Sequence, residues 1–455
     1  MSLDASASLV RRSAAASHLT RRDALRLGAA ALAAGPFLRT RQVFGAGPEQ
    51  KLRIASVGVG NKGRDDLECI ASAPGAEIVA LCDVDTNFLG SAQQAFPKAA
   101  PFRDYRVMLD KLGKGIDAVI VSTPDHLHGA ISLAAMSLGK HVYVQKPLAH
   151  NLAELRAMCN VAAEQGVVTQ MGTQIHGEEA YRTAAKMLRE GAIGKVSEVH
   201  CWIGRGLPLP AKERPNRTDK VPATLDWELW QGVAPEEPYV EGFYHPFNWR
   251  MWRDYGCGML GDMASHLFDP IFTGLDLKAP LTVRSGGPAH LRDTFSPDTE
   301  VEYTFAGTPL TAEKVKFRWT NGEFSPDASR AQLPDGVKLP ESGSFPVGEK
   351  GVMVLPHWAM PSFYSGGKPM EIEITSAGSV NHYHEWVAAC RGEGKTGTPF
   401  SFSGPLTEAV LAGTVAGAFP EETLAWNSAA LEFDHVGATA LVHRKYRDDW
   451  RPLGV

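Results

Sequence analysis

The segment that most constrains this chain is an apolar run ending in glycines, LRIASVGVG, from Leu52 to Gly60. A run of this kind, closed by glycine, marks a strand buried on both faces of a parallel sheet. It continues as GVGNKG into a helix-like stretch that reaches about Ala73. In such a turn Gly58 permits the tight bend, Gly60 lets backbone approach a pyrophosphate, and Gly63 lets the helix pack on the strand. An anion would then rest on the free amides at the helix N-terminus, beside Asn61 and Lys62. A second strand, AEIVALCD, ends in Asp83, 20 residues beyond Gly63. That is the separation at which a carboxylate meets the adenosine ribose of a dinucleotide. A carboxylate there repels a 2′-phosphate, and Val84 to Asn87 include no arginine, so the reading favours NAD over NADP.

The same rhythm repeats downstream. IDAVIVSTP, KHVYVQKP and GVVTQMG read as strands, and helical spacing fills the intervals between them. Strands alternating with helices predict a parallel sheet covered on both faces, here a Rossmann domain over residues 49–172. After Gly172 the pattern changes. GEEAYRTAAKMLREG is a helix stopped by Gly191, and KVSEVHCWIG alternates like a strand with one exposed face. A Pro/Trp-rich passage, 206–252, has no clear period. LTVRSG, EVEYTFAG, EKVKFRWTNG and MEIEITSA then read as strands, with late helices over 383–391 and 406–418 and a last strand near 439–443. Residues 173–455 are therefore expected to form an α/β domain with an open, largely antiparallel sheet.

The start of the chain belongs to neither domain. Arg21 and Arg22 precede a mild, Ala-rich apolar run from Leu27 to Leu38. That run is too short to span a bilayer as a mature helix. The pattern resembles a Tat export signal, with a basic unstructured terminus as the plainer reading. Residues 1–48 are read as signal and linker, and a periplasmic or otherwise exported product without stable membrane insertion is expected. The net charge of −5 gives no reason to expect nucleic acid. Six cysteines without a CxxC pair signal neither a zinc ribbon nor a redox pair, and buried thiols are expected.

Two further motifs stand at carboxyl ends of predicted strands, where open α/β sheets bind ligands. In VSTPDHLHG, Thr123, Pro124 and His126 could line the nicotinamide side of the groove, while His128 could equally cap its helix. In VYVQKP, Lys146 is held on a turn by proline and could donate to a substrate hydroxyl, stabilising alkoxide charge. Gln145 stands beside it. A Lys-Pro pair alone is usually a solvated turn.

With the three motifs in this order, the chain resembles the Gfo/Idh/MocA family of glucose-fructose oxidoreductase and inositol dehydrogenase relatives, over Lys51 to Val455. The lysine of that family usually stands in Glu-Lys-Pro, where this chain has Gln145. The resemblance implies NAD-dependent oxidation of a sugar-like hydroxyl by a homo-oligomer. It points to GCGMLGDMASHLFD for the remaining catalytic groups, Asp262 and His266, with Asp269 further along. Residues at i, i+4 and i+7 share a helix face, although Pro270 should kink or end the helix. In the scheme implied, His266 is general base near its natural pKa range, Lys146 favours the alkoxide, and Asp262 orients the substrate or the histidine. The same acids and histidine could instead hold zinc or manganese, with His245 or His357 completing the set. Trp227, Trp230 and the WRMWRDYG stretch, with Arg250, Arg253 and Asp254, could stack on and bind a sugar or simply pack.

Export adds a constraint. A dissociable NAD would be lost outside the cytoplasm, so tightly bound NAD carried through the Tat machinery is expected. The hydride must then return to a second substrate or to the enzyme's own oxidised intermediate. The second route is a redox-neutral glycosidase: oxidation at C3, elimination at C1, hydration and re-reduction. A non-catalytic, NAD-loaded sugar-binding protein would need the glycine turn and Asp83 but not Lys146, Asp262 and His266.

Overall fold

A computed structural model describes residues 51–455. Arg21, Arg22 and the Ala-rich run, on which the export reading rests, lie outside the described residues.

The first sheet has six parallel strands: β1 (Leu52–Val57), β2 (Ala76–Cys82), β3 (Ala100–Phe102), β4 (Ala118–Val121), β5 (His141–Val144) and β6 (Thr169–Met171). Their order is β3-β2-β1-β4-β5-β6, the doubly wound arrangement expected of a Rossmann domain. The chain reverses direction in the sheet between β1 and β4, so a crevice opens there at the carboxyl edge. Local chemistry sets the helices. Asp85 caps α2 (Thr86–Ala95), Asp104 caps α3 (Tyr105–Leu112), and Asn151 caps α5 (Leu152–Gln165) by accepting from Glu154 N. Gly166, at φ 62°, ends α5 in the left-handed region that glycine adopts without strain. By contrast no side chain caps α1 (Lys62–Ala71), which opens on the glycine turn. Between β4 and β5 runs α4 (His128–Ser137), buried along nearly its whole length.

The second sheet has ten strands. β7 (Val196–Ile203) pairs in parallel with β10 (Thr311–Asn321), and every other pairing in this sheet is antiparallel. The remaining strands include β8 (Pro280–Ser285), β9 (Thr299–Ala306), β11 (Ser342–Gly348), β12 (Val352–Pro356) and β13 (Ser362–Ser365). One face is covered by α6 (Glu179–Arg189) and α7 (Asp269–Leu275). Phe268 and Phe272 meet Tyr303, Phe305 and Phe317 edge-on, at centroid separations from 4.6 to 6.4 Å. Such edge-to-face pairs add to area burial at the centre of this core. Two further helices, α8 (His382–Cys390) and α9 (Phe400–Ala416), return to the Rossmann sheet: Met171 N donates to Thr398 O, just before α9.

Three details depart from the sequence reading. MEIEITSA forms no strand. It runs extended beside α6, where Ala377 N donates to Thr183 Oγ1 and Arg182 donates to Gly378 O, so side chains replace a ladder. The sheet instead contains β11 and β12, where Pro346 within the first strand and Gly351 in the turn between them obscure the period. The stretch near 439–443 belongs to a short helix, Val436–Ala440, and the late strand is Thr423–Asn427. All six cysteines are free thiols, four of them buried.

Candidate active site

The carboxyl edge of the Rossmann sheet and the second domain enclose a cavity of about 460 Å³. One end is lined by Gly58, Gly60, Asn61, Lys62 and Asp83, the middle by Thr123, Pro124, Asp125 and Gln145, and the other end by Lys146, Asp262 and His266. The residues of four separate motifs are thereby brought to one space.

At the glycine turn, Gly58 has φ 79°, and a Cβ there would stand 2.6 Å from the Ser122 carbonyl oxygen. A Cβ on Gly63 would overlap the Gly58 carbonyl oxygen, and one on Gly60 would come within 2.5 Å of the Phe88 ring. Asn61 holds a positive φ of 47° immediately before α1. The amides of Gly63, Arg64 and Asp65 bond back to Gly60 and Asn61, so the uncapped turn offers those of Asn61 and Lys62 on the cavity wall, a donor set that fits a pyrophosphate. Asp83 is buried beside it. Its Oδ2 accepts from Val59 N at 2.8 Å and its Oδ1 from Asp85 N at 2.9 Å. Each oxygen keeps lone-pair capacity for a ribose hydroxyl. Burial raises the Asp83 pKa to about 6, against the pull of those two amides. In the middle, the Thr123 hydroxyl is buried without a hydrogen-bond partner. A dinucleotide fits this set: amides for phosphate, a carboxylate for ribose, an open hydroxyl further along.

Since only ionised Asp83 accepts from two ribose hydroxyls, NAD affinity should be level above about pH 7. It should then fall by up to tenfold per unit below about pH 6, as the carboxyl takes up a proton. Calorimetric titration across that range measures this. A flat affinity down to about pH 4.5 would remove Asp83 from the ribose site.

At the far end, Lys146 Nζ donates to the Asp262 carbonyl oxygen at 2.6 Å and to Asp262 Oδ1 at 2.8 Å. Arg250 Nε approaches the same carboxylate at 3.4 Å. Burial of Asp262 works against ionisation, but the Lys146 and Arg250 cations outweigh it and hold the carboxyl well below its ordinary range. His266 is 7% exposed, and its Nδ1 lies 3.2 Å from Thr173 Oγ1. Burial, then the Lys146 cation, push the imidazole well below its usual pKa. It is neutral at physiological pH, lower than the near-natural range expected from sequence. Asp262 stands in a π-helical turn, Leu260–Ala264, a rare local form frequent at functional sites. That turn and the break before Pro270 also separate Asp269 from its neighbours. Instead of converging on the cavity, Asp269 receives His176 Nδ1 at 2.9 Å in a buried pair outside it.

Two histidines exchange their expected places. His126 is fully buried outside the cavity lining, its ring nitrogens facing the carbonyls of Trp230 (2.9 Å) and Tyr255 (3.3 Å). His128 does line the cavity, between the carbonyls of Pro147 and Thr123. Asp125, between them, is the group that sequence reasoning passed over. It lines the cavity, and burial raises its pKa to about 7 despite the Arg250 and Lys146 cations nearby. Arg103 also reaches the adenosine end from after β3, donating to Val84 O at 3.2 Å. Sequence distance hid it, since the stretch after Asp83 contains no arginine.

The Trp-rich passage proves to be mostly packing. Trp227 stacks on Trp230 at 4.7 Å, and Trp252 is fully buried. Trp230 and Trp249 also line the cavity, and Arg250 lies over Trp249 and Phe247 at 4.4 and 4.2 Å. Arg253 donates to a backbone carbonyl, and Asp254 pairs with Arg214. The same passage straps the adenosine end: Thr86 N donates to Thr224 O at 2.9 Å, and Asp226 N to Val84 O at 3.0 Å. His245 Nε2 lies 3.0 Å from Asp85 Oδ2 there, and the His357 ring lies 6.4 Å from that of His266. Among the described residues, no three His, Cys, Asp or Glu side chains are grouped to hold a metal ion.

Residues 52–173 match the model of an oxidoreductase family's NAD-binding Rossmann fold (GFO_IDH_MocA), and residues 210–312 match the family's C-terminal alpha/beta domain. The chain belongs to the Gfo/Idh/MocA oxidoreductase family. The chain is 33% identical over 145 residues to D-apiose dehydrogenase of Paraburkholderia graminis, covering 32% of this chain and 38% of that protein. It is 33% identical over 152 residues to scyllo-inositol 2-dehydrogenase (NAD(+)) of Bacillus subtilis, covering 32% and 43%. The chain thus spans less than half the length of the curated relatives it matches. The fold extends further. The WlbA dehydrogenase of Bordetella pertussis, solved with NADH and UDP-GlcNAcA, superposes with TM-score 0.59 over 83% of this chain and 99% of that one, at 18% identity. NAD is the cofactor that the family's Rossmann domain binds.

Proposed function

We propose that this Gfo/Idh/MocA protein oxidises a hydroxyl of a sugar or glycoside. The observation that carries the reading is the placement of Lys146, Asp262 and His266 in the same cavity as the glycine turn and Asp83. When bound, NAD supplies the hydride acceptor. Lys146 has three N–H donors, two of them committed to Asp262, and the third is free for the substrate oxygen. His266, neutral through burial, accepts the hydroxyl proton at Nε2 when Nδ1–H donates to Thr173 Oγ1. Asp262 stays ionised and fixes the lysine. Trp249 and Arg250 offer an aromatic face and a guanidinium to the rest of the ring. The names of the apiose and inositol dehydrogenases support a polyol substrate.

The strap over the adenosine end favours a cofactor retained between turnovers, and the basic twin-arginine start favours export with NAD already bound. Those two features together support the redox-neutral glycosidase as a second reading. The test is direct. Purified protein is denatured with acid and the released nucleotide identified, then intact protein is mixed with aldoses, inositols and glycosides while NAD reduction is followed optically. Co-purified NAD reduced in one turnover by a sugar is the expected result, and glycoside cleavage through a 3-keto intermediate would select the second reading. A protein that carries NAD yet is reduced by none of these compounds is not a sugar oxidoreductase.

A further inference from the structure

The glycine turn, the STP segment and the QKP segment are separated by tens of residues, yet one side chain touches all three. Asp66, on the first helix, is completely buried. Its Oδ2 accepts from Ser122 Oγ at 2.8 Å and from Gln145 Nε2 at 2.8 Å. Its Oδ1 lies 2.9 Å from Lys62 Nζ, which donates in turn to Tyr383 OH at 3.0 Å on α8 of the second domain. The Gln145 amide is used at both ends, because Oε1 accepts from Lys146 N at 3.3 Å. Gly172 leaves room for this amide: a Cβ there would stand 2.6 Å from Gln145 Nε2.

We propose that Asp66 is a positioning residue, a buried carboxylate that fixes Lys62 at the phosphate end of the cavity and, through Gln145, the backbone of Lys146 at the reacting end. The physical argument is one of count. A buried carboxylate is tolerated only when donors surround it, and here a cation, a hydroxyl and an amide do so. Burial holds its pKa above the ordinary carboxylate value, with Lys62, Ser122 and Gln145 pulling the other way. Tyr143, Tyr383 and Cys69 are the other titratable groups facing it, and burial raises the pKa of all three. The Gln145 amide can present Nε2 to Asp66 and Oε1 to Lys146 in one orientation only, so the carboxylate dictates which way it points. Lys146 inherits that orientation through its backbone.

The proposal rests on the site assigned above, but its melting and affinity tests need no substrate. Three variants move the charge across one hydrogen bond: Asp66→Asn, Gln145→Glu and the double exchange. Gln145→Glu sets two carboxyls in contact, which cannot both ionise. Its melting temperature should fall between about pH 5 and pH 8 by more than wild type's. The proton shared by the two carboxyls should also loosen the hold on Lys62, and with it NAD binding, by about tenfold. Asp66→Asn should slow single-turnover reduction of bound NAD by about tenfold or more, the cost of a misplaced reacting group. The double exchange returns one carboxylate and one amide to the pair. It should recover NAD affinity and rate to within about threefold, with the wild-type pH dependence of melting. A double variant that fails to fold, or that matches the poorer single variant, overturns the proposal. So does Asp66→Asn with wild-type rate and affinity. If no sugar reduces wild-type protein, the melting and affinity comparisons still decide it.

Discussion

Alanine at His266 or at Lys146 should slow reduction of bound NAD by a competent sugar about 10²-fold or more, with NAD occupancy near wild type in both. The expectation follows from geometry. The groups that fit phosphate and ribose are Gly58 to Lys62 and Asp83, while Lys146 and His266 are held by other partners, Asp262 and Thr173. The double variant should be little worse than the poorer single one, because groups acting on one proton are not additive. The pH dependence separates the two roles. In wild type the rate should hold across neutral pH, since the His266 imidazole protonates only well below its ordinary range. Lys146→Ala removes the cation that helps to depress it and leaves Asp262 without its main partner. Both changes favour imidazolium, so the acid limb of the residual rate should move upward in pH. Stopped-flow reduction of the NAD-loaded protein measures rate and limb together. A Lys146→Ala limb that stays put, or a His266→Ala variant with wild-type rate, would assign the proton to another group, Asp125 first.

The second large effect belongs to the glycine turn. Gly63→Ala places a methyl group on the Gly58 carbonyl oxygen, a backbone atom that cannot step aside. The first helix must then lift from β1, which should cost on the order of 3 kcal/mol and abolish measurable NAD binding. Gly90→Ala is its control. Gly90 also lies in a helix of this domain, but a Cβ there meets nothing within 4 Å. It should stabilise the protein by about 0.5–1 kcal/mol, the helix preference of alanine over glycine. Thermal melts and NAD titrations of the pair distinguish a loss due to packing at the turn from a general intolerance of substitution. Equal behaviour of the two variants would contradict the close approach on which the phosphate site depends.

The Rossmann half was legible because its information is local. A strand buried on both faces is an apolar run, a helix start is a capping aspartate or asparagine, and a turn at φ 79° calls for glycine. The sequence alone therefore determined the parallel sheet, the phosphate turn, Asp83 and the region holding Lys146. The second domain was less legible where strands were short or carried proline and glycine. MEIEITSA alternates like a strand, but it joins no ladder, and its end bonds to side chains of α6 instead.

What only the tertiary structure decided is which polar side chains meet. Gln145 finds Asp66 across 79 residues, and Lys146 finds Asp262 across 116. His126 and His128 are two residues apart in one motif and both rings face backbone carbonyls, yet only His128, held by Pro147 and Thr123, lines the cavity, while His126 turns to Trp230 and Tyr255 of the second domain. Local spacing placed Asp262, His266 and Asp269 on one helix face, and a π turn with a break before Pro270 sent the third to His176. The physical reason is common to all of these. Backbone preferences and apolar periodicity act over a few residues, whereas a buried charge is satisfied only by whatever donors the folded chain brings within about 3 Å. Those donors come from distant segments, and no spacing within the motif names them.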